Sequence, residues 1–85
     1  EQVWVTLSPN PVKDRITIKI QPSGMATANL SVYDAIGKQL HTQKLALQPG
    51  TNIKSFDAAT LPTGIYILKL KVGKDMQVIK FMKWE

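Results

Sequence analysis

Apolar residues along the chain recur with period two more often than with period 3.6, the alternation of strands that bury one face and wet the other. Over residues 15–20, Ile16, Ile18 and Ile20 share one parity while Arg15, Thr17 and Lys19 share the other. Residues 65–72 set Tyr66, Leu68, Leu70 and Val72 against Ile65, Ile67, Lys69 and Lys71, which predicts a central strand. Val3, Val5 and Leu7 alternate with Trp4 and Thr6, and Leu30 and Val32 flank Ser31. Residues 78–82 are β-prone but apolar on both parities, so their inward face stays open. Between Lys38 and Leu47 the parity slips, since Leu40 is even whereas Leu45 and Leu47 are odd. The slip predicts a break or bulge near His41 to Lys44.

Turn residues punctuate these runs: Pro9-Asn10-Pro11, Pro22-Ser23-Gly24, Asp34 to Gly37, Pro49-Gly50, Leu61-Pro62-Thr63-Gly64 and Gly73-Lys74-Asp75. Strands at this spacing, with turns about every dozen residues, predict an all-β fold: an immunoglobulin-like antiparallel sandwich of about seven strands. Ala58-Ala59-Thr60-Leu61 has room for one short helical turn before Pro62. No linker, low-complexity stretch or internal repeat divides the chain, so residues 1–85 read as a single domain.

At 85 residues and 44% hydrophobic, the chain can hold one modest core and no deep catalytic cleft. Without cysteine it has neither disulfides nor thiolate metal ligands, so its stability rests on packing. No apolar run approaches the roughly 18 residues of a membrane-spanning helix. The first residue, Glu1, is not Met, which suggests a piece of a longer protein. The formal charge of +5 raises the question of nucleic acid, but ten of the eleven basic residues are lysines, spread from Lys13 to Lys83 without interleaved aromatics. No nucleic-acid partner is expected; the charge suits a solubilising coat or weak attraction to an anionic surface.

The catalytic inventory is thin. His41 is the sole histidine and has no ligand at helical spacing, so it reads as an exposed strand residue, and no metal or other cofactor is expected. Asp14, Asp34, Asp57 and Asp75 each fall at or beside a turn, where aspartate bonds its own backbone. The four serines lack a nucleophile elbow, and no catalytic residue is assigned. Asn29-Leu30-Ser31 fits a glycosylation sequon, yet Leu30 belongs to a core parity. Leu61-Pro62-Thr63-Gly64 is similar to a shortened wall-anchoring sortase signal but reads as a turn leading into a strand.

Taken in order, the turn blocks resemble the type A C-terminal sorting domain of the type IX secretion system, the Por system of Bacteroidetes. The resemblance runs from about Leu7 to Lys83. It starts at Ser8-Pro9-Asn10-Pro11, followed by Ile16-Thr17-Ile18, with Ser8 where the family usually has an aromatic. A second block is Leu30-Ser31-Val32-Tyr33-Asp34-Ala35-Ile36-Gly37-Lys38, a strand ending in a glycine turn. Gly50-Thr51-Asn52 and Leu61-Pro62-Thr63-Gly64-Ile65-Tyr66 form the third, and Lys80-Phe81-Met82-Lys83 resembles the basic and apolar final strand. The sorting-motif residues implied are Pro9, Asn10, Pro11, Asp34, Gly37, Lys38, Leu61, Pro62, Gly64, Tyr66, Lys80, Phe81 and Lys83.

The resemblance implies a non-catalytic address label at the C-terminus of a fused cargo. Such cargo passes the periplasm, crosses the outer membrane through the type IX translocon, and ends up secreted or at the cell surface after transient outer-membrane association. A sortase-like signal peptidase typically removes the label. Two surfaces are open to a reader. The terminal strand, residues 76–82, would lie at a sheet edge, with Lys80 and Lys83 steering toward an acidic receptor; the same edge would permit weak homodimerisation. Alternatively, the Gly37 and Gly64 turns would meet at one end of the sandwich and be read as loops. The rival function is a glycan-binding or adhesive accessory module of a secreted hydrolase, using Trp4 and Trp84 as its platform.

Overall fold

The computed structural model describes residues 4–9, 11 and 13–84. The alternating segments become seven strands: β1 (Trp4–Ser8), β2 (Arg15–Gln21), β3 (Ala26–Asp34), β4 (Gln39–Leu47), β5 (Asn52–Asp57), β6 (Gly64–Val72) and β7 (Asp75–Lys83). They form two antiparallel sheets packed as a sandwich, one in the order β1-β2-β5 and the other β4-β3-β6-β7. This is the immunoglobulin-like architecture expected from the spacing. Val3 and Asn10, both used in the sequence reading, lie outside the described residues.

The core follows the parity of each strand. Ile16, Ile18 and Ile20 of β2 face Leu30 and Val32 of β3, Leu45 and Leu47 of β4, and Tyr66, Leu68, Leu70 and Val72 of β6 across the sandwich. Each such side chain removed from water contributes about 1.5–3 kcal/mol. The central strand predicted over 65–72 is β6, paired with β3 from Asp34↔Tyr66 to Ala28↔Val72 and with β7 from Gly64↔Lys83 to Val72↔Asp75. Gly73, at φ 60°, opens the two-residue hairpin between β6 and β7; that left-handed first position follows the twist of the strands and suits glycine. Leu30 of the sequon is 2% exposed, as its parity requires.

The structure departs from the sequence reading at four places. Residues 58–61 make a hydrogen-bonded turn rather than a helical one, with the Leu61 amide donating to the Ala58 carbonyl at 3.1 Å. The irregularity in β4 lies just before the expected region: Val32 pairs with His41 and Tyr33 with Gln39, leaving Leu40 as the extra residue. Absorbing the slip there lets His41, Leu45 and Leu47 keep one parity toward the opposite sheet. His41 is therefore half-buried rather than exposed, its ring 4.9 Å from that of Phe56 on β5. In β7 the open choice of face resolves in favour of Phe81, which is buried against the Tyr66 ring at 5.5 Å, so Met76, Val78 and Met82 point outward. The same parity carries Lys83 inward to 3% exposure, where its ammonium donates to the Trp84 carbonyl. Lys83 is thus no surface steering charge, although β7 is the sheet edge that the sequence predicted.

The parity of the two long strands has a measurable consequence. Leu70→Ala, at a fully buried position, is expected to lower stability by about 2–5 kcal/mol in urea unfolding, whereas Val78→Ala on the outward face should change it by less than about 0.5 kcal/mol. Equal losses at both positions would contradict the assigned face of β7.

Candidate functional site

Among the described residues, the chemistry-bearing side chains are dispersed or spent on local contacts. Among the described residues no group of three or more His, Cys, Asp or Glu could hold a metal ion. His41 spends Nε2 on the Gln43 amide oxygen at 2.7 Å and its ring on Phe56. Two of the turn aspartates do what turn chemistry predicts: Asp57 Oδ1 accepts from the Ala59 amide at 3.0 Å, and Asp34 Oδ1 accepts from the Ile36 and Lys38 amides at 3.1 and 2.8 Å.

The Asp34 turn is built more firmly than a surface loop needs. Besides those side-chain bonds, the Asp34 amide donates to the Lys38 carbonyl at 3.0 Å and the Gly37 amide to the Asp34 carbonyl at 3.1 Å. Gly37 has φ 91°, a left-handed conformation that a side chain resists. The rigid turn holds Ile36 almost wholly in water, at 90% exposure. Nothing in the fold requires an isoleucine at that tip.

A second turn meets the first. The Tyr66 hydroxyl donates back to the Pro62 carbonyl, four residues upstream, while its ring stacks on Phe81. This is the tyrosine corner of immunoglobulin-like sandwiches, in which the start of an inner strand is tied to the loop that feeds it. It places Pro62, Thr63 and Gly64 beside Asp34, Ala35 and Ile36, because Asp34 and Tyr66 are paired across β3 and β6. Between the two turns lies an open groove of about 310 Å³ that also touches Ile65.

Of the sequence-predicted residues, Asp34, Pro62, Gly64 and Tyr66 line this groove, and Gly37 and Lys38 belong to the turn that walls it. Leu61 packs on the core, and Phe81 and Lys83 lie beneath, at the end of β7 that pairs with Tyr66 and Gly64. Pro9, joined to Ser8 by a cis peptide bond, and Pro11 are exposed after β1 at the same end; Asn10 is outside the described residues. Lys80 stands apart, on the outer face of β7 opposite Ile67. The sequence reading passed over Ile36, although an isoleucine at the centre of a turn between aspartate and glycine was itself a signal. It also passed over Asn52, whose side chain closes the β4–β5 turn through Gln48 at 2.8 and 3.0 Å.

The two tryptophans do not form one platform. Trp4 opens β1 opposite Gln21, beside a smaller groove of about 170 Å³ with Thr51, while Trp84 follows β7 at the end occupied by Gly64. The molecule measures 36 Å along its long axis, so the exposed indoles sit at opposite ends.

Among the described residues no metal-binding group forms, and the residues of the Asp34 and Gly64 turns gather at one end of an immunoglobulin-like sandwich. The family described as Secretion system C-terminal sorting domain matches residues 6–83, and the chain belongs to this type IX secretion family. It is accordingly a signal domain rather than a catalyst. The fold is also similar to crystal structures of a β-glucosidase from Listeria innocua in complex with glucose and of a mutant of that enzyme with laminaribiose, each at 13% identity and TM-score 0.53. This chain is covered to 99% but spans only 16% of those chains, and at that identity the likeness concerns the fold alone. Comparison with curated proteins returns no match.

Two substitutions separate the parts of this end. Tyr66→Phe keeps the ring on Phe81 and loses the bond to Pro62, so urea unfolding should show a loss of about 0.5–1.5 kcal/mol. Gly37→Ala has open space for its methyl group but an unfavourable φ, and should lose about 1–2 kcal/mol. An unchanged midpoint for both would mean that neither turn is held as described.

Proposed function

We propose that this chain is the address label of a secreted cargo, recognised by the type IX machinery through the end of the sandwich where the Asp34 and Gly64 turns meet. The observation that carries the reading is convergence. Residues 34–36 and 62–66 are separated in the chain, both fall within the family match at 6–83, and together line one groove, with Phe81 and Lys83 buried beneath it. Edge position distinguishes β7 less well, because β4, β1 and β5 are edges too. Loops on a rigid scaffold are where recognition residues concentrate, and Ile36 has the marks of an anchor: apolar, exposed and held by a fixed turn.

In this reading the cargo, joined ahead of the domain, reaches the periplasm, is selected at the outer-membrane translocon and emerges outside the cell or on its surface. A sortase-like peptidase then removes the label. The glycan-module alternative loses support from the separation of Trp4 and Trp84, since a flat sugar platform needs aromatic faces side by side.

A fluorescent reporter bearing a signal peptide and this chain at its C-terminus tests the proposal in a bacterium with the type IX machinery and in a strain lacking the translocon. Export only in the first strain is expected. Ile36→Ser should leave stability within about 0.5 kcal/mol, because the side chain touches little, yet reduce export about tenfold. Reporter retained intact in the periplasm of both strains overturns the sorting role; normal export of the Ile36 variant overturns the assigned end.

A further inference from the structure

The four-stranded sheet has an outer face whose composition the core does not explain. Its cross-strand rows run Lys44, Asn29, Lys71, Met76 and then Thr42, Ser31, Lys69, Val78. Toward the groove end the face continues through Ile67 and Ile65 to Met82. Met76, Val78 and Met82 are 52%, 57% and 42% exposed, apolar positions along the outer edge of the sheet with Lys80 between the last two. No acidic side chain shares this face among the described residues: Asp14, Asp34, Asp57 and Asp75 all sit in turns or at strand ends. Lys80 is on the face as well and already has an interaction of its own.

Lys69 is not a loosely solvated charge. Its ammonium stands 5.0 Å from the centre of the Tyr33 ring on the neighbouring strand, and the side chain is half-buried. A cation–π contact of this kind fixes where the charge is presented. Lys71 follows two residues on along the same strand face. A fixed positive charge at Lys69 and a solvated one at Lys71 thus line one side of exposed apolar residues on β7, which Lys80 interrupts and which reach the groove between the two turns through Met82 and Ile65.

We infer that this face docks a protein of the secretion machinery whose contact surface is an apolar strip flanked by carboxylates; the inference rests on the sorting role proposed above. Charge complementarity selects this occupant. A second copy would bring lysines against lysines with no acid to separate them, a costly arrangement. A membrane fits poorly because the lysines sit on the central strand β6. Apolar insertion of so flat a face would carry Lys69 and Lys71 toward hydrocarbon. A protein can instead offer carboxylates at those positions and bury Val78 and Met76 beside them.

The test uses the reporter fusion and two charge reversals of equal size. Lys69→Glu with Lys71→Glu is expected to cut translocon-dependent export about tenfold or more, with the reporter intact in the periplasm. Lys69→Arg with Lys71→Arg should keep export within about twofold, because the charges remain. Lys19→Glu with Lys74→Glu, off this face, should export normally. If the unaltered fusion is exported but both reversals act alike, or neither acts, the docking face is wrong while the sorting role stands. If the unaltered fusion is not exported in a translocon-dependent way, both fall. The fusion should not sediment with vesicles of phosphatidylcholine and phosphatidylglycerol; sedimentation abolished by the Lys69/Lys71 reversal would make lipid the occupant and overturn the inference.

Discussion

Tyr66 ties together the features on which the rest of the domain depends. Its ring stacks on Phe81, which decides the inward parity of β7, and its hydroxyl holds the Pro62 carbonyl, which sets the path of the loop into β6. A buried phenol needs a hydrogen-bond partner, and a carbonyl in a turn outside any ladder needs a donor, so one bond satisfies both. Because Asp34 pairs with Tyr66, the same contact fixes the loop relative to the β3–β4 turn. The groove is therefore a product of core packing, and its walls are as rigid as the sandwich beneath them.

Charge and apolar surface are partitioned in a way that suits a domain whose task is to be read. The aspartates are confined to turns, where Asp34 and Asp57 serve their own backbone. The strand faces are left basic. On the outer face of the four-stranded sheet the lysines of β6 have Ser31, Thr42 and Asn29 on one side and Val78 and Met76 on the other. Membership in the type IX sorting family accords with described side chains that assemble no metal-binding group.

Much of the fold was legible in the chain, and the exceptions have specific causes. The alternation at Ile16-Ile18-Ile20 and Tyr66-Leu68-Leu70-Val72 reports burial directly, since a strand's side chains can face only two ways. Residues 78–82 gave no such answer because both parities are apolar, and only the Tyr66–Phe81 stack selects one. The bulge at Leu40 was visible as a parity slip, but its position depends on the register with β3, which pairs Val32 with His41 and Tyr33 with Gln39. His41 and Lys83 were misjudged for the same reason: polarity suggested water, whereas Phe56 offers a ring to one and the Trp84 carbonyl an acceptor to the other.

The candidate site divides along the same line. Turn residues such as Asp34, Gly37, Pro62 and Gly64 could be recognised one by one, because the backbone geometry of a turn depends on its own few residues. That the Asp34 and Gly64 turns share a groove, that Ile36 stands at its rim, and that the lysines of β4, β6 and β7 fall into one face without an acid among the described residues could not be read from the chain. Those relations follow from strand order and register, which are set by pairings between residues distant in sequence. A seven-stranded β-sandwich, its turns and the core parities of β2 and β6 are written in the chain, because period two and turn chemistry are local. Which turns meet, which way β7 faces and which surfaces are presented follow from the fold as a whole, because packing between the sheets chooses among faces and neighbours that local propensity leaves equivalent.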